Sequence, residues 1–331
     1  MFKKLSKKSY SVLLCTIIVF ASISIQSQAA STPPTINQDS VVGELSQSDA
    51  YSKYKSFFKN VDGSFIIPGL TSNMCPQGLC KAGDYILISA YDPYEIYNSC
   101  IHVVEEATGE YIKTVWLKDN NYHAGGITSD GTDVYVANSS EGTLAKLSLS
   151  QIIKANDKEV VTWNSVTVKD EKKEKVKASF CSYDSDRKVV WVGVFNDKGS
   201  SRAYGYFING TNAKLKYNMV IPQFTQGMCF NGKYVYFSRS YGFENSSKID
   251  KYVYRKDDTK GGIVYYTYKC APKKTISAPP GSENIFIYNG RLYILFESAA
   301  KYYYKGALEA GNVPAPYPVD CVCKYLLSSK I

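Results

Sequence analysis

Histidine is almost missing from this chain. Of 331 residues only His102 and His123 carry an imidazole, so a Cys/His zinc site is not expected. A glycine-rich phosphate loop, a nucleophile–base signature and metal-ligand spacing are absent too, and the expected cofactor and metal inventory is none. No long stretch has a 3.6-residue apolar period, which argues against a helical domain. Basic residues are not interleaved with aromatics in any nucleic-acid motif, so nucleic acid is a poor partner. The formal charge of +9 is partly local, because removing Lys3, Lys4, Lys7 and Lys8 leaves +5 (9 minus 4). The mixed-charge run Lys169–Lys177 reads as a solvated loop.

The four early lysines precede the largely apolar stretch Val12–Ile25 and then Ser27-Gln28-Ala29. A basic segment, an apolar core and small residues describe an export signal over 1–29. Its 14 residues fall short of the about 20 that a bilayer span needs. Cys15 follows Leu14, where a lipid-attachment signal would want a small residue. The expectation is a secreted or cell-surface monomer without a membrane span. Residues 30–48, with Pro33, Pro34 and several serines, are expected as a flexible linker. Residues 49–331 are expected as one domain. The spacing of Tyr51, Tyr54, Phe57 and Phe58 predicts a single short amphipathic helix within 49–60.

What the chain does have is repetition. Pro76-Gln77-Gly78-Leu79, His123-Ala124-Gly125-Gly126-Ile127, Lys177-Ala178-Ser179-Phe180, Thr225-Gln226-Gly227-Met228 and Ser282-Glu283-Asn284-Ile285 each open a strand, a turn and a second strand rich in Tyr and Val. Measured at Gly78, Gly126, Phe180, Gly227 and Asn284, the spacings are 48, 54, 47 and 57 residues. Asn231-Gly232, Asn289-Gly290 and Asp130-Gly131 supply hairpin turns. Periods near 40–50 with short strands predict an all-β, five-bladed β-propeller, with six blades as the fallback. Outer strands are expected at 101–104 with 111–117, 144–149 with 160–168, 204–208 with 215–220, 248–254 with 263–268, and 319–326. The last unit is one strand short, and Ser64–Ile67 could close the ring.

Nine cysteines include eight beyond Cys15: Cys75, Cys80, Cys100, Cys181, Cys229, Cys270, Cys321 and Cys323. Eight permit 105 pairings. Cys75 and Cys80 are close enough in sequence to bridge, while Cys80 and Cys229 hold matching repeat positions that also suit buried thiols. Cys321 and Cys323 are expected on opposite faces of a strand, which would rule out a shared metal.

In a propeller the starts of the inner strands and the returns of the second strands meet at one rim. The starts are Gln77, His123, Lys177, Gln226 and Glu283. The returns are Tyr91 and Asp92, Asn138, Asn196, Ser238 and Arg239, and Glu297 and Ser298. Gln77, Asp92, His123, Lys177, Gln226, Arg239, Glu283 and Glu297 are therefore the candidate ligand-binding residues of a charged funnel. Tyr91, Phe195 and Tyr241 could stack on sugars. The leading expectation is an exported propeller that binds a small polar ligand, a glycan or a peptide terminus. A glycosidase using Asp92, Glu283 or Glu297 is one catalytic alternative.

The fragments Thr225-Gln226-Gly227-Met228 and Leu295-Phe296-Glu297-Ser298 resemble parts of the five-bladed glutaminyl cyclases of plants and bacteria. In that family the two pieces share a blade, whereas here they fall in the fourth and fifth units. The resemblance implies a glutaminyl-peptide cyclase with Glu297 as acid/base, and Glu283 and Arg239 orienting the peptide end. The repeat openings over residues 76–302 also resemble uncharacterised exported propellers of Gram-positive bacteria, which implies the fold but no activity.

Overall fold

The computed structural model describes residues 33–120, 123–139, 141–268 and 271–327. The export signal expected over 1–29, Cys15 and Cys270 lie outside the described residues. Two short helices, α1 (Asp49–Lys53) and α2 (Lys55–Phe58), precede strand β1 (Val61–Ile66). The first unit contains β2 (Cys75–Ala82), β3 (Tyr85–Tyr91), β4 (Cys100–Glu105) and β5 (Tyr111–Leu117). The second contains β6 (Ala124–Ser129), β7 (Asp133–Asn138) and β8 (Thr143–Ser148), then helix α3 (Leu149–Lys154), β9 (Val160–Val161) and β10 (Asn164–Thr167). The third is β11 (Phe180–Asp184), β12 (Val189–Gly193), β13 (Ser201–Asn209) and β14 (Asn212–Ile221). The fourth follows as β15 (Thr225–Asn231), β16 (Tyr234–Arg239), β17 (Ser247–Lys260), β18 (Ile263–Tyr268) and β19 (Lys274–Ala278). The last has β20 (Ser282–Tyr288), β21 (Arg291–Phe296) and β22 (Cys321–Leu326).

Each unit opens with an antiparallel hairpin whose first strand is innermost. The inner strands pack in a cycle: β2 on β6, β6 on β11, β11 on β15, β15 on β20, and β20 on β2. The molecule is a β-propeller. Strand β1 joins β22 antiparallel, with Phe65 opposite Val322 and Ile66 opposite Cys321. The last sheet thus takes its outer strand from the start of the domain, where the sequence placed it. That pairing ties the two ends of the ring with ladder hydrogen bonds.

Alternation along each strand sends side chains into the gap on either side of its sheet. Apolar clusters accordingly fill each sheet-to-sheet gap. Leu87, Val103, Val134 and Val136 lie between the first and second sheets, and Leu144, Val166, Val190 and Val192 between the second and third. Trp191, Met219, Val235 and Phe237 join the third to the fourth. Tyr236, Ile249, Leu292 and Ile294 join the fourth to the fifth, and Leu295, Val322, Leu79 and Ile86 join the fifth to the first.

Several expectations need correction. The helix predicted within 49–60 is interrupted at Tyr54, whose φ and ψ are −112° and 37°. Its apolar face survives because Tyr54, Phe57 and Phe58 all bury against the fifth sheet. The segment expected as a flexible linker is pinned over residues 36–42. Gln38 Nε2 donates to the carbonyls of Ile66 and Gly109, and the backbone N–H groups of Val41 and Val42 donate to Asp320. Strand β18 does pair antiparallel with β17, but only along Tyr254–Lys260, the far half of that long strand; its other edge pairs parallel with β14 of the third sheet, and β19 takes the outer place beside Ser247–Lys251. A helix, α3, interrupts the segment expected to lead straight into an outer strand.

The cysteines are corrected as well. All seven described cysteines are free and buried, so Cys75 and Cys80 form no bridge. Cys321 and Cys323 share a face, their sulfurs 3.8 Å apart, while Val322 points into the opposite gap. Residues two apart on a strand lie on the same side, and the alternation puts only the middle residue opposite.

Candidate functional site

The repeat openings coincide with breaks in the ladder. Register slips occur between Pro76 and Gly78, Ala124 and Ile127, Thr225 and Gly227, and Ser282 and Ile285. The residues inside those slips are Gln77, Gly125 and Gly126, Gln226, and Glu283 and Asn284. A bulge leaves its extra residue unpaired and re-aims its side chain. The third unit starts without one, with Phe180 directly opposite Gly193.

Two bulges feed one polar cluster. Gln77 Nε2 donates to Glu297 Oε2 at 2.7 Å, and Gln77 Oε1 lies 2.8 Å from His123 Nε2. An amide oxygen only accepts, so His123 carries its proton on Nε2 in this contact. Desolvation by the surrounding chain, then the charge of Lys177, lowers the His123 pKa to about 4 even though the residue keeps an exposed face at the rim, so the ring is neutral near pH 7. The Tyr91 ring stacks on the imidazole with centroids 4.0 Å apart and planes 13° from parallel.

Beside this chain lies a carboxyl pair. Glu283 is 3% exposed and its Oε1 has no hydrogen-bond partner. Burial, then the charge of Glu297 and a hydrogen bond between the two, holds the Glu283 carboxyl well above the usual range. Burial also raises Glu297, to about 7, against the opposing hydrogen bonds from Gln77 and Glu283. Two close carboxyls, one buried and one half-buried, do not both ionise readily, so the pair retains one proton, held on Glu283. Besides burial, the groups among the described residues that act on these two carboxyls are each other and Gln77; none is a cation.

Tyr303 and Cys75 complete the cluster, and neither was singled out as a ligand contact from sequence. Tyr303 lies beside Tyr91, and the charge of Glu297, ahead of burial, pushes its phenol up. It sits in the long connection between β21 and β22. Connections of that length without strands commonly carry function, and the run Tyr302-Tyr303-Tyr304 was the available signal. Cys75 is 0% exposed, and burial, then Glu297, Asp92 and Glu283, raise its thiol, so it is no thiolate nucleophile.

The remaining candidates have other partners. Asp92 accepts from the backbone N–H groups of Tyr94, Ile96 and Tyr97, holding the loop after β3. Arg239 forms an ion pair with Asp250 at 2.7 Å and donates to the Gln223 carbonyl. Gln226 is half-buried within its bulge. Asn138 bonds Asn120 and Thr143, and Ser238 bonds Ser282 at 2.8 Å. Phe195 and Phe224 both stack on Tyr241, which is 52% exposed. Gln77, His123, Glu283 and Glu297 are thus brought together, with Lys177 acting on His123 by charge.

No protein family and no curated protein matches the sequence. Solved structures similar to it include a glutaminyl cyclase of Myxococcus xanthus, 10% identical over 72% of this chain and 90% of that one, with a TM-score of 0.45. Another is the PQQ-bound aldose sugar dehydrogenase of Streptomyces coelicolor, 13% identical over 67% and 74%, with a TM-score of 0.40. A β-propeller domain from Myceliophteria thermophila is 9% identical over 68% and 81%, with a TM-score of 0.37. These likenesses concern fold and say nothing of activity.

Proposed function

We propose that the funnel binds the free amino terminus of a peptide and moves a proton on it, with Glu297 as acid/base and Glu283 holding the proton of the pair. The observation that carries this reading is the carboxyl pair without a cation. An ammonium ligand supplies the missing counter-charge, whereas an anionic ligand would add to the repulsion. A group titrating near 7 can take a proton from an ammonium and return it within one turnover. The Gln77–His123 chain keeps Glu297 oriented, and Tyr91 and Tyr303 restrict water around it. We take the setting to be extracellular, on the export signal read in residues 1–29.

The glycosidase alternative is disfavoured. Such enzymes hold their two carboxyls about 5 Å or more apart across the scissile bond, whereas Glu283 and Glu297 act directly on each other's titration with no room marked out for a sugar between them. Asp92 spends its oxygens on three backbone donors. Arg239, engaged with Asp250, is likewise left out of the proposed peptide contact.

The test compares glutaminyl peptides with free and with acetylated amino termini, by calorimetric binding and by ammonia release. Free termini should bind and acetylated ones should not, and Glu297→Gln should lower turnover by about 100-fold or more. Binding without ammonia release in the wild type would leave a binding module. Equal affinity for free and acetylated peptides would overturn the reading.

A further inference from the structure

Tyr303 serves two compartments. Its hydroxyl side belongs to the carboxyl cluster, through Tyr91 and the charge of Glu297. It also lines a separate cleft of about 430 Å³, together with Phe243, Val313, Pro314 and Pro316. The Phe243 and Tyr303 rings meet with centroids 4.6 Å apart. Phe243 is held at the same rim, because a Cβ at Gly281, just before Ser282 and Glu283, would lie 2.9 Å from its ring. Val313 is 77% exposed at the cleft. An aromatic, two prolines and an exposed valine next to buried carboxyls form a site with a charged end and an apolar end.

We infer that this cleft is the subsite for the apolar side chain of the residue following the amino terminus, so the ligand class is a peptide with an apolar second residue. The inference rests on the amino-terminus reading above. Tyr303 borders both compartments, and an extended chain advances about 3.4 Å per residue, so a residue close behind the amino terminus reaches the cleft. Its walls are mostly apolar, with Asn245, Asn312 and Glu244 as polar lining residues. That lining favours a leucine or phenylalanine side chain over a glycine or a carboxylate, for the transfer reason that drives any apolar group into such a space. An acidic second residue would also be repelled by Glu244 and by the carboxyl pair.

The experiment is calorimetric titration of the full chain with short amidated peptides that share an amino-terminal glutamine and carry Gly, Leu, Phe or Asp second. Phe and Leu should bind about 10-fold or more tightly than Gly, within the range one apolar group contributes to discrimination, and Asp most weakly. Val313→Asp, at a position already exposed, and Phe243→Ala should each erase the preference. Both should leave affinity for the Gly peptide within about twofold, which also certifies folding. Equal affinities across the wild-type panel, absence of binding by every peptide, or a preference that survives both variants would overturn the subsite. If acetylated peptides keep the same rank order, the subsite stands and the carboxyl-pair reading falls.

Discussion

The two ends of the inner strands are built on opposite rules. At the turn end the ladder runs in register into Asn231-Gly232 and Asn289-Gly290, and glycine serves a conformational need. Gly232 and Gly290 have φ of +56° and +73°, with nothing within 4 Å of an added Cβ. At the starting end the ladder slips, and glycine serves a need for space. A Cβ on Gly125 would lie 1.9 Å from the Ser179 carbonyl oxygen, and one on Gly227 would lie 2.7 Å from Asn284 Cα. The chemistry follows the same division. The starting end holds the carboxyl pair, whereas the cavity toward the other mouth, about 220 Å³, is lined by Lys81, hydroxyls such as Thr128 and Ser182, and the thiols Cys80, Cys181 and Cys229. Irregular backbone at one rim is what lets a repeated strand present a residue of its own choosing.

The sharpest way to break this contrast is to make one substitution at both ends. Gly125→Ala meets backbone that cannot swing aside and should cost about 3 kcal/mol or more. Gly232→Ala meets only the left-handed φ and should cost about 1–2 kcal/mol. Urea denaturation of both variants measures the difference. Equal losses would mean that the starting ends are no more tightly packed than the turns.

A smaller effect tests the charge side of the comparison. Glu297 has its folded pKa near 7, above its ordinary 4.5, so the fold favours the protonated form. Its contribution is full below about 4.5 and is lost as pH rises through about 7. His123, lowered from 6.5 to about 4, works the other way, contributing above 6.5 and losing it as pH falls toward 4. Subtracting the stability of Glu297→Gln from that of wild type at each pH removes the histidine terms. The difference should fall by on the order of 2 kcal/mol between pH 4.5 and 7, allowing for water at the half-buried Glu297. Chemical denaturation across that range measures it, and a flat difference would sink the shared-proton description.

The sequence shows these two ends unequally. Repeat spacing and Asn-Gly turns made the sheets, the inner hairpins and the closing strand legible, because each is encoded within a few residues. Gln77, His123, Glu283 and Glu297 were legible as candidates because topology alone sends strand starts and returns to one rim. Partner choice was not. Ile263–Tyr268 has the composition of an outer strand and pairs with β17, but nothing local says that its other edge joins β14 of the neighbouring unit. Arg239 is a strand return like Glu297, yet Asp250 on the neighbouring strand claims it. Tyr303 belongs to no repeat, so the periodicity that exposed the other residues passes over it.

The last test concerns what separates the two mouths. Asn284 takes the place that glycine holds in three other units, and its Nδ2 donates across the axis to the carbonyls of Ile127 and Cys181 at 3.3 and 3.4 Å. Its Oδ1 accepts from the backbone N–H of Ile285. Those long bonds, made from the fifth unit to the second and third, stop the channel directly behind Glu283. Asn284→Ala would leave two buried carbonyls without this donor, at about 1 kcal/mol, and open the axis to water from the far mouth. Water there would relieve the burial that raises Glu283 and Glu297. Their titration should move toward the ordinary carboxylate range, and the pH window of the wild-type difference curve should move down with it. The same denaturation series, run on Asn284→Ala with and without Glu297→Gln, measures that displacement. A stability loss with no displacement would make Asn284 a packing residue only, and the two mouths would already share their water.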